Sequence, residues 1–136
     1  MNRKNTGREV WIGESRMFLG LDDILYCTFV GNVDEECLKK FAETAYDFAG
    51  KVKGKLKVIA DLDRAGMPTA AARKAAKKYY EDERIGEIAL YGMKSVARVV
   101  ATFVMGFSKK QDLRFFKSRE EALAWLQHKD EGEVVK

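Results

Sequence analysis

The residues best placed to do chemistry are two carboxylates, Asp61 and Asp63, at the end of the run "VIADLDRAGMPT". Carboxylates so spaced can bind a divalent cation or share general acid–base work. No histidine, third acid or serine nucleophile accompanies them in the sequence nearby. Aspartate is also common where strands end in turns, so a turn role and a ligand-contacting role both stay open. Thr69 follows the chain's single proline, Pro68, and precedes "AAARKAAKKYY". That setting suits a helix N-cap whose hydroxyl accepts a backbone N–H near Ala71 or Ala72. A phosphate on the same hydroxyl would meet the positive end of the helix. Further on, "YGMKS" places Gly92, Lys94 and Ser95 at another strand-to-helix turn, where backbone N–H groups and a lysine could hold a small anion. Neither GxGxxG nor GxxxxGK[ST] is present, so the nucleotide fingerprints are missing.

The remaining reactive side chains are few. Cys27 falls in a strand-like run and Cys37 in a helical one, with no CxxC spacing, and both are expected to be reduced, partly buried thiols. The single histidine, His128, has no partner at metal-ligand spacing. Neither a metal nor a cofactor is expected. A formal net charge of +4 raises the question of nucleic acid. However, Arg73, Lys74, Lys77 and Lys78 run straight into Glu81, Asp82 and Glu83, and no aromatic residues interleave with the lysines. That pattern describes a solvated face rather than a nucleic-acid surface.

These residues need elements to hold them. The 136 residues, 46% of them hydrophobic, suit one domain with one core over 1–136, the stretch 129–136 reading as a frayed tail. Residues 17–19 and 24–30 are strand-like around the turn "GLDD". Residues 25–30 are apolar on both faces, as in a strand covered on both sides. Asp34 caps a helix in which Leu38, Phe41, Ala45 and Phe48 recur at helical spacing and which Gly50 stops. Residues 56–60 form a strand, 69–82 a helix, 85–91 a strand, 95–107 a helix and 113–116 a strand. "SREEALAWL" opens the last helix with a capping box, Ser118 and Glu121. The expected architecture is α/β, a mixed sheet begun by a β-hairpin and continued by parallel strands, with four helices in the order β-β-α-β-α-β-α-β-α. The N-terminus carries charge without an apolar run, and no stretch is long enough to span a bilayer, so a cytoplasmic protein is expected.

Four segments, "GNVDEECLKKFAETA", "VIADLDRAG", "RIGEIALYGMKSVARVV" and "RFFKSREEALAWL", together resemble the SpoIIAA-like branch of the STAS superfamily, over residues 10–127. The resemblance implies a small mixed sheet with four helices, no cofactor and no catalysis. In the anti-sigma-factor antagonists of that superfamily, a serine at the start of the second helix is phosphorylated by a partner kinase and switches binding. The matching positions here are Met67, Pro68, Thr69 and Ala70, and Ala70 stands where the acceptor serine would be. This departure argues against a phospho-switch.

The helix at 95–107 stands apart in composition. Val96, Val99, Val100, Phe103, Val104 and Phe107 make an apolar stripe, while Ala97, Ala101 and Met105 leave little polar face. Such a helix is deeply covered, forms a self-association surface, or touches an apolar ligand or a membrane surface. The sequence therefore supports a non-catalytic binding and regulatory domain acting through association with a protein partner or a second copy of itself. The alternative is a carrier or sensor of an apolar or lipid-like molecule with peripheral membrane contact through 95–107. The candidate contacts are Asp61, Asp63, Thr69, Gly92, Lys94, Ser95, Ala101, Phe103 and Phe107.

Overall fold

The structure, a computed structural model, describes residues 7–92 and 113–135, with 128–135 described for the backbone alone. The expected helix at 95–107, with Lys94, Ser95, Ala101, Phe103 and Phe107, lies outside the described residues, as does the side chain of His128. Among the described residues there are six strands and three helices, where the sequence led us to expect five strands and four helices. The strands are β1 (Glu9–Ile12), β2 (Ser15–Leu19), β3 (Ile24–Val33), β4 (Leu56–Pro68), β5 (Ile85–Tyr91) and β6 (Leu113–Phe116). The helices are α1 (Glu35–Ala49), α2 (Ala70–Tyr80) and α3 (Arg119–Val135).

One mixed sheet contains all six strands in chain order. β1, β2 and β3 are antiparallel neighbours, and β3 to β6 run parallel. The extra strand, β1, is only "EVWI", too short for its alternation to be read against the background. It turns back through Gly13, which holds φ at +60°. The opening is thus a three-stranded antiparallel unit, one strand more than the expected hairpin.

Sequence period decides which face each residue meets. Met17, Leu19, Leu25, Cys27, Val58, Ala60 and Ile88 point to one face, where Phe41, Ala45 and Phe48 of α1 and Tyr80 of α2 bury them. Ile24, Ile59 and Ala89 point to the other, beneath Ala122 and Leu126 of α3. The helix starts are fixed as the sequence indicated. Asp34 Oδ1 accepts the Cys37 N–H at 2.8 Å, and Ser118 Oγ accepts the Glu121 N–H at 3.2 Å. The Glu121 carboxylate reaches back to the Lys117 N–H, one residue before the cap. Gly50 ends α1 with φ at −69°, so the stop does not use the left-handed conformation.

α3 is held to the sheet by packing and by one cation. Lys57 Nζ donates to the Leu126 carbonyl at 2.9 Å and lies 3.8 Å from the carboxylate of the buried Glu87. Leu126 is fully buried, whereas Trp125 is half-buried, tilted against Phe116 and covered by the Arg114 guanidinium. The leucine is therefore the deeper anchor. Leu126→Ala is expected to cost about 2–5 kcal/mol in denaturant melts, and Trp125→Ala less than Leu126→Ala. The opposite ranking would mean that the helix sits on the sheet differently.

Candidate functional site

β4 was expected to end at residue 60, yet it continues to Pro68. Its pairing with β5 stops where Asp61 faces Tyr91, and beyond that point it runs on beside β3 alone, with Val30 opposite Arg64, Gly31 opposite Ala65 and Val33 opposite Pro68. The sheet thus tapers into a two-stranded ribbon. Two register irregularities interrupt the ribbon, the first lying between the Thr28–Asp61 and Val30–Arg64 pairs. The extra residue there breaks strand alternation.

That irregularity decides the fate of the acidic pair. The Asp61 carboxylate turns back on its own chain, Oδ1 accepting the Asp63 N–H at 2.9 Å. It also accepts a hydrogen bond from the Tyr91 hydroxyl. Asp63 is exposed. Gly92 completes the corner with φ at +80°, and a Cβ there would lie 3.0 Å from the Asp63 nitrogen and 3.1 Å from Asp61 Oδ1. Any side chain at 92 would be both strained and crowded. Asp61, Asp63 and Gly92 are therefore brought together where β4 runs on past the carboxyl end of β5. Among the described residues, no group of three or more potential ligands surrounds a metal-sized space.

Thr69 is elsewhere. It lies eight residues further along β4, on the order of 25 Å away for extended chain. Its Oγ1 accepts the Ala72 N–H at 3.0 Å, and its own N–H donates to the Val33 carbonyl at 3.1 Å. The hydroxyl acts as the N-cap of α2. The starts of α1 and α2 consequently meet at the ribbon's tip, where Met67 is 50% exposed. Neither thiol is poised for nucleophilic work. Both are free, and burial pushes each thiol up and keeps it protonated.

Sequence reasoning missed a second region. α3 covers the β4–β6 side of its sheet face, and the β1–β3 side of that face carries Trp11, Arg16, Phe18, Tyr26 and Thr28, all half-buried. β3 was expected to be covered on both sides; on this face Ile24 and Tyr26 pack with the α3 cluster, and among the described residues Thr28 lies beyond it. The available signal was the polar and aromatic alternation of Arg16–Phe18 and Tyr26–Thr28. The Tyr26 hydroxyl donates to Asp22 Oδ2 at 2.6 Å, and Arg119 lies over its ring at 5.5 Å. Burial, then the hydrogen bond to Asp22, push the Tyr26 phenol up to about 12, and burial takes Tyr80 to about 12 as well.

A phenol whose folded pKa exceeds its unfolded value of 10 holds its proton more tightly in the native state. Its stabilising contribution is complete below pH 10 and is lost as the pH rises towards 12. A spectrophotometric titration at alkaline pH should show these two tyrosines ionising near 12, with the denaturant midpoint falling between pH 10 and 12. Ionisation of all five tyrosines near 10 in the native protein would contradict this environment.

Comparison with known proteins agrees with this geometry. A family model described as SpoIIAA-like matches residues 24–127. No curated protein matches the chain. Among solved structures, a DUF3478-family protein with a SpoIIAA-like fold from Shewanella loihica PV-4 is similar with a TM-score of 0.60 at 15% identity, covering 93% of this chain and 99% of its own. The anti-sigma factor antagonist SpoIIAA in its unphosphorylated form aligns with a TM-score of 0.59 at 14% identity, over 83% of this chain and 97% of its own. RsbS from Moorella thermoacetica aligns with a TM-score of 0.64 at 14% identity, over 88% and 99%. At these identities the structural matches speak for the fold alone.

Proposed function

We propose that this chain, which belongs to the SpoIIAA-like family, is a non-catalytic regulatory domain that works by docking a protein partner on the tip of its β3–β4 ribbon. The observation that carries this reading is Met67. A large apolar side chain is 50% exposed on a two-stranded projection, beside the capped start of α2. An exposed methionine on such a support is an adaptable contact for a partner surface. The name of one structural neighbour, an anti-sigma factor antagonist, supports a binding role for this fold. The tip also coincides with positions 67–70, which the resemblance aligns with the family's switch stretch.

Thr69 serves there as the cap of α2, and with Ala70 where the family's acceptor serine would stand, this reading involves no phospho-switch. No described helix is long and apolar enough to cross a membrane, and the reading places the domain in the cytoplasm. Affinity capture from source cells with wild-type bait and Met67→Asp bait tests the proposal. A partner retained by wild type and by Leu21→Asp, yet lost with Met67→Asp, is the expected result. Leu21 is the other exposed large apolar residue among the described ones, at the β2–β3 turn. Thr69→Ala should keep the partner and cost only about 1 kcal/mol of stability. Loss of the partner in both aspartate variants would place the contact away from the ribbon.

A second reading has one observation in its favour. Between α1, α2 and the sheet lies an apolar cavity of about 160 Å³, lined by Phe29, Leu38, Phe41, Leu62, Ala76 and Leu90 among others. An apolar cavity of roughly this size takes up benzene or xenon, so a ring-sized apolar molecule fits better than a lipid tail. Under that reading the domain carries or senses such a molecule. Benzene should then raise the melting temperature of wild type, and Ala76→Leu, which fills the space, should abolish the rise. No rise in wild type would remove the carrier reading.

A further inference from the structure

Beside the area that α3 covers, the same face of the sheet carries a row of side chains in direct register. Trp11 lies opposite Arg16, Arg16 opposite Thr28, Thr28 opposite Asp61 and Asp61 opposite Tyr91. In the adjacent row Phe18 faces Tyr26, and Tyr26 faces Ile59. Arg119, at the start of α3, closes the side next to Tyr91. These residues, Trp11 excepted, bound a groove of about 700 Å³, within the roughly 300–1,000 Å³ range of small-molecule sites. The groove is on the opposite face of the sheet from the apolar cavity, and the ribbon tip is remote from it.

The charges in this groove are unequally committed. Asp22 accepts from the Tyr26 hydroxyl and the Ile24 N–H. Asp61 accepts from the Asp63 N–H and the Tyr91 hydroxyl. Arg16 pairs with the Glu9 carboxylate while its guanidinium lies 5.1 Å from the centre of the Phe18 ring. Arg119 makes no ion pair or hydrogen bond among the described residues. Its guanidinium carbon lies 5.5 Å from the centre of the Tyr26 ring, at the edge of the groove, and a guanidinium can meet a carboxylate through two N–H donors. The Thr28 hydroxyl on the groove floor also lacks a hydrogen-bond partner among the described residues. What the groove offers is therefore aromatic surface, one uncommitted cation suited to bidentate contact, and a hydroxyl donor.

We propose that this groove binds a small aromatic carboxylate, its ring lying against Phe18 and Tyr26 and its carboxylate paired with Arg119 and Thr28. The acidic side chains of Asp22 and Asp61 in the groove disfavour multiply charged anions, which fits a single carboxylate. The site is independent of the partner-docking reading, so either can fail alone.

The test uses 2-naphthoate, its neutral amide 2-naphthamide and the cation 2-naphthylmethylammonium, with calorimetry and amide chemical shifts on the whole chain. The naphthoate should bind, with shifts at Tyr26, Thr28, Tyr91 and Arg119. The amide and the amine should bind roughly tenfold more weakly, as should naphthoate to Arg119→Gln, the scale of one charge-assisted hydrogen bond. Arg119 is exposed, so this variant should keep its fold, and Thr28→Val gives a second probe of the carboxylate contact. The proposal is overturned if the amine binds as well as the acid, if Arg119→Gln binds like wild type, or if the shifts map to Leu38 and Ala76 in the opposite cavity. It is likewise overturned if naphthoate fails to bind at about 1 mM.

Discussion

Tyr26 lies beside Ile59 and Cys27 beside Ala60, and from this parallel pairing of β3 with β4 the two faces of the protein follow. A slip of one residue would exchange every side chain between faces. Val58 and Ala60 would then leave the α1–α2 core, and Ile59 would leave the α3 core. Because both faces carry buried apolar residues at β4, the register is specified twice. The same pairing, prolonged past the point where β5 stops, creates the ribbon and sets the starts of α1 and α2 side by side.

Local chemistry was readable in the sequence and long-range coverage was not. Asp34, Thr69 and Ser118 announced their helices because a cap needs only one side chain and a backbone N–H three residues on. β5 and β6 were bounded correctly because each is an apolar run ended by a turn residue. The extension of β4 was hidden because "DLDRAGM" has the composition of a turn, and only pairing with β3 makes it a strand. The Asp61–Asp63 pair was visible as chemistry, but its meaning depended on an irregularity that no spacing rule encodes. The groove beside Arg119 was invisible for a further reason. Its residues come from β2, β3, β4, β5 and α3, and nothing in the sequence says that one helix covers only part of a sheet face.

The two surfaces have contrasting physical character. The ribbon tip projects one flexible apolar side chain from a backbone fixed by Thr69 and Val33. The groove is concave, with rings and polar groups whose directions are set by strand register and by hydrogen bonds to Asp22 and Asp61. A convex, adaptable contact suits a protein surface. A concave and preorganised one suits a small molecule.

The order of strands in space repeats their order in the chain. Every strand finds its partner in the strand made just before it, and the longest described connection between paired strands is the α1 crossover. Assembly from the N-terminus therefore never has to wait for a distant segment, and each new strand completes the exposed edge left by the last. A chain emerging from the ribosome could extend its sheet progressively, with β6 arriving at the growing edge and α3 then covering the β4–β6 part of the second face.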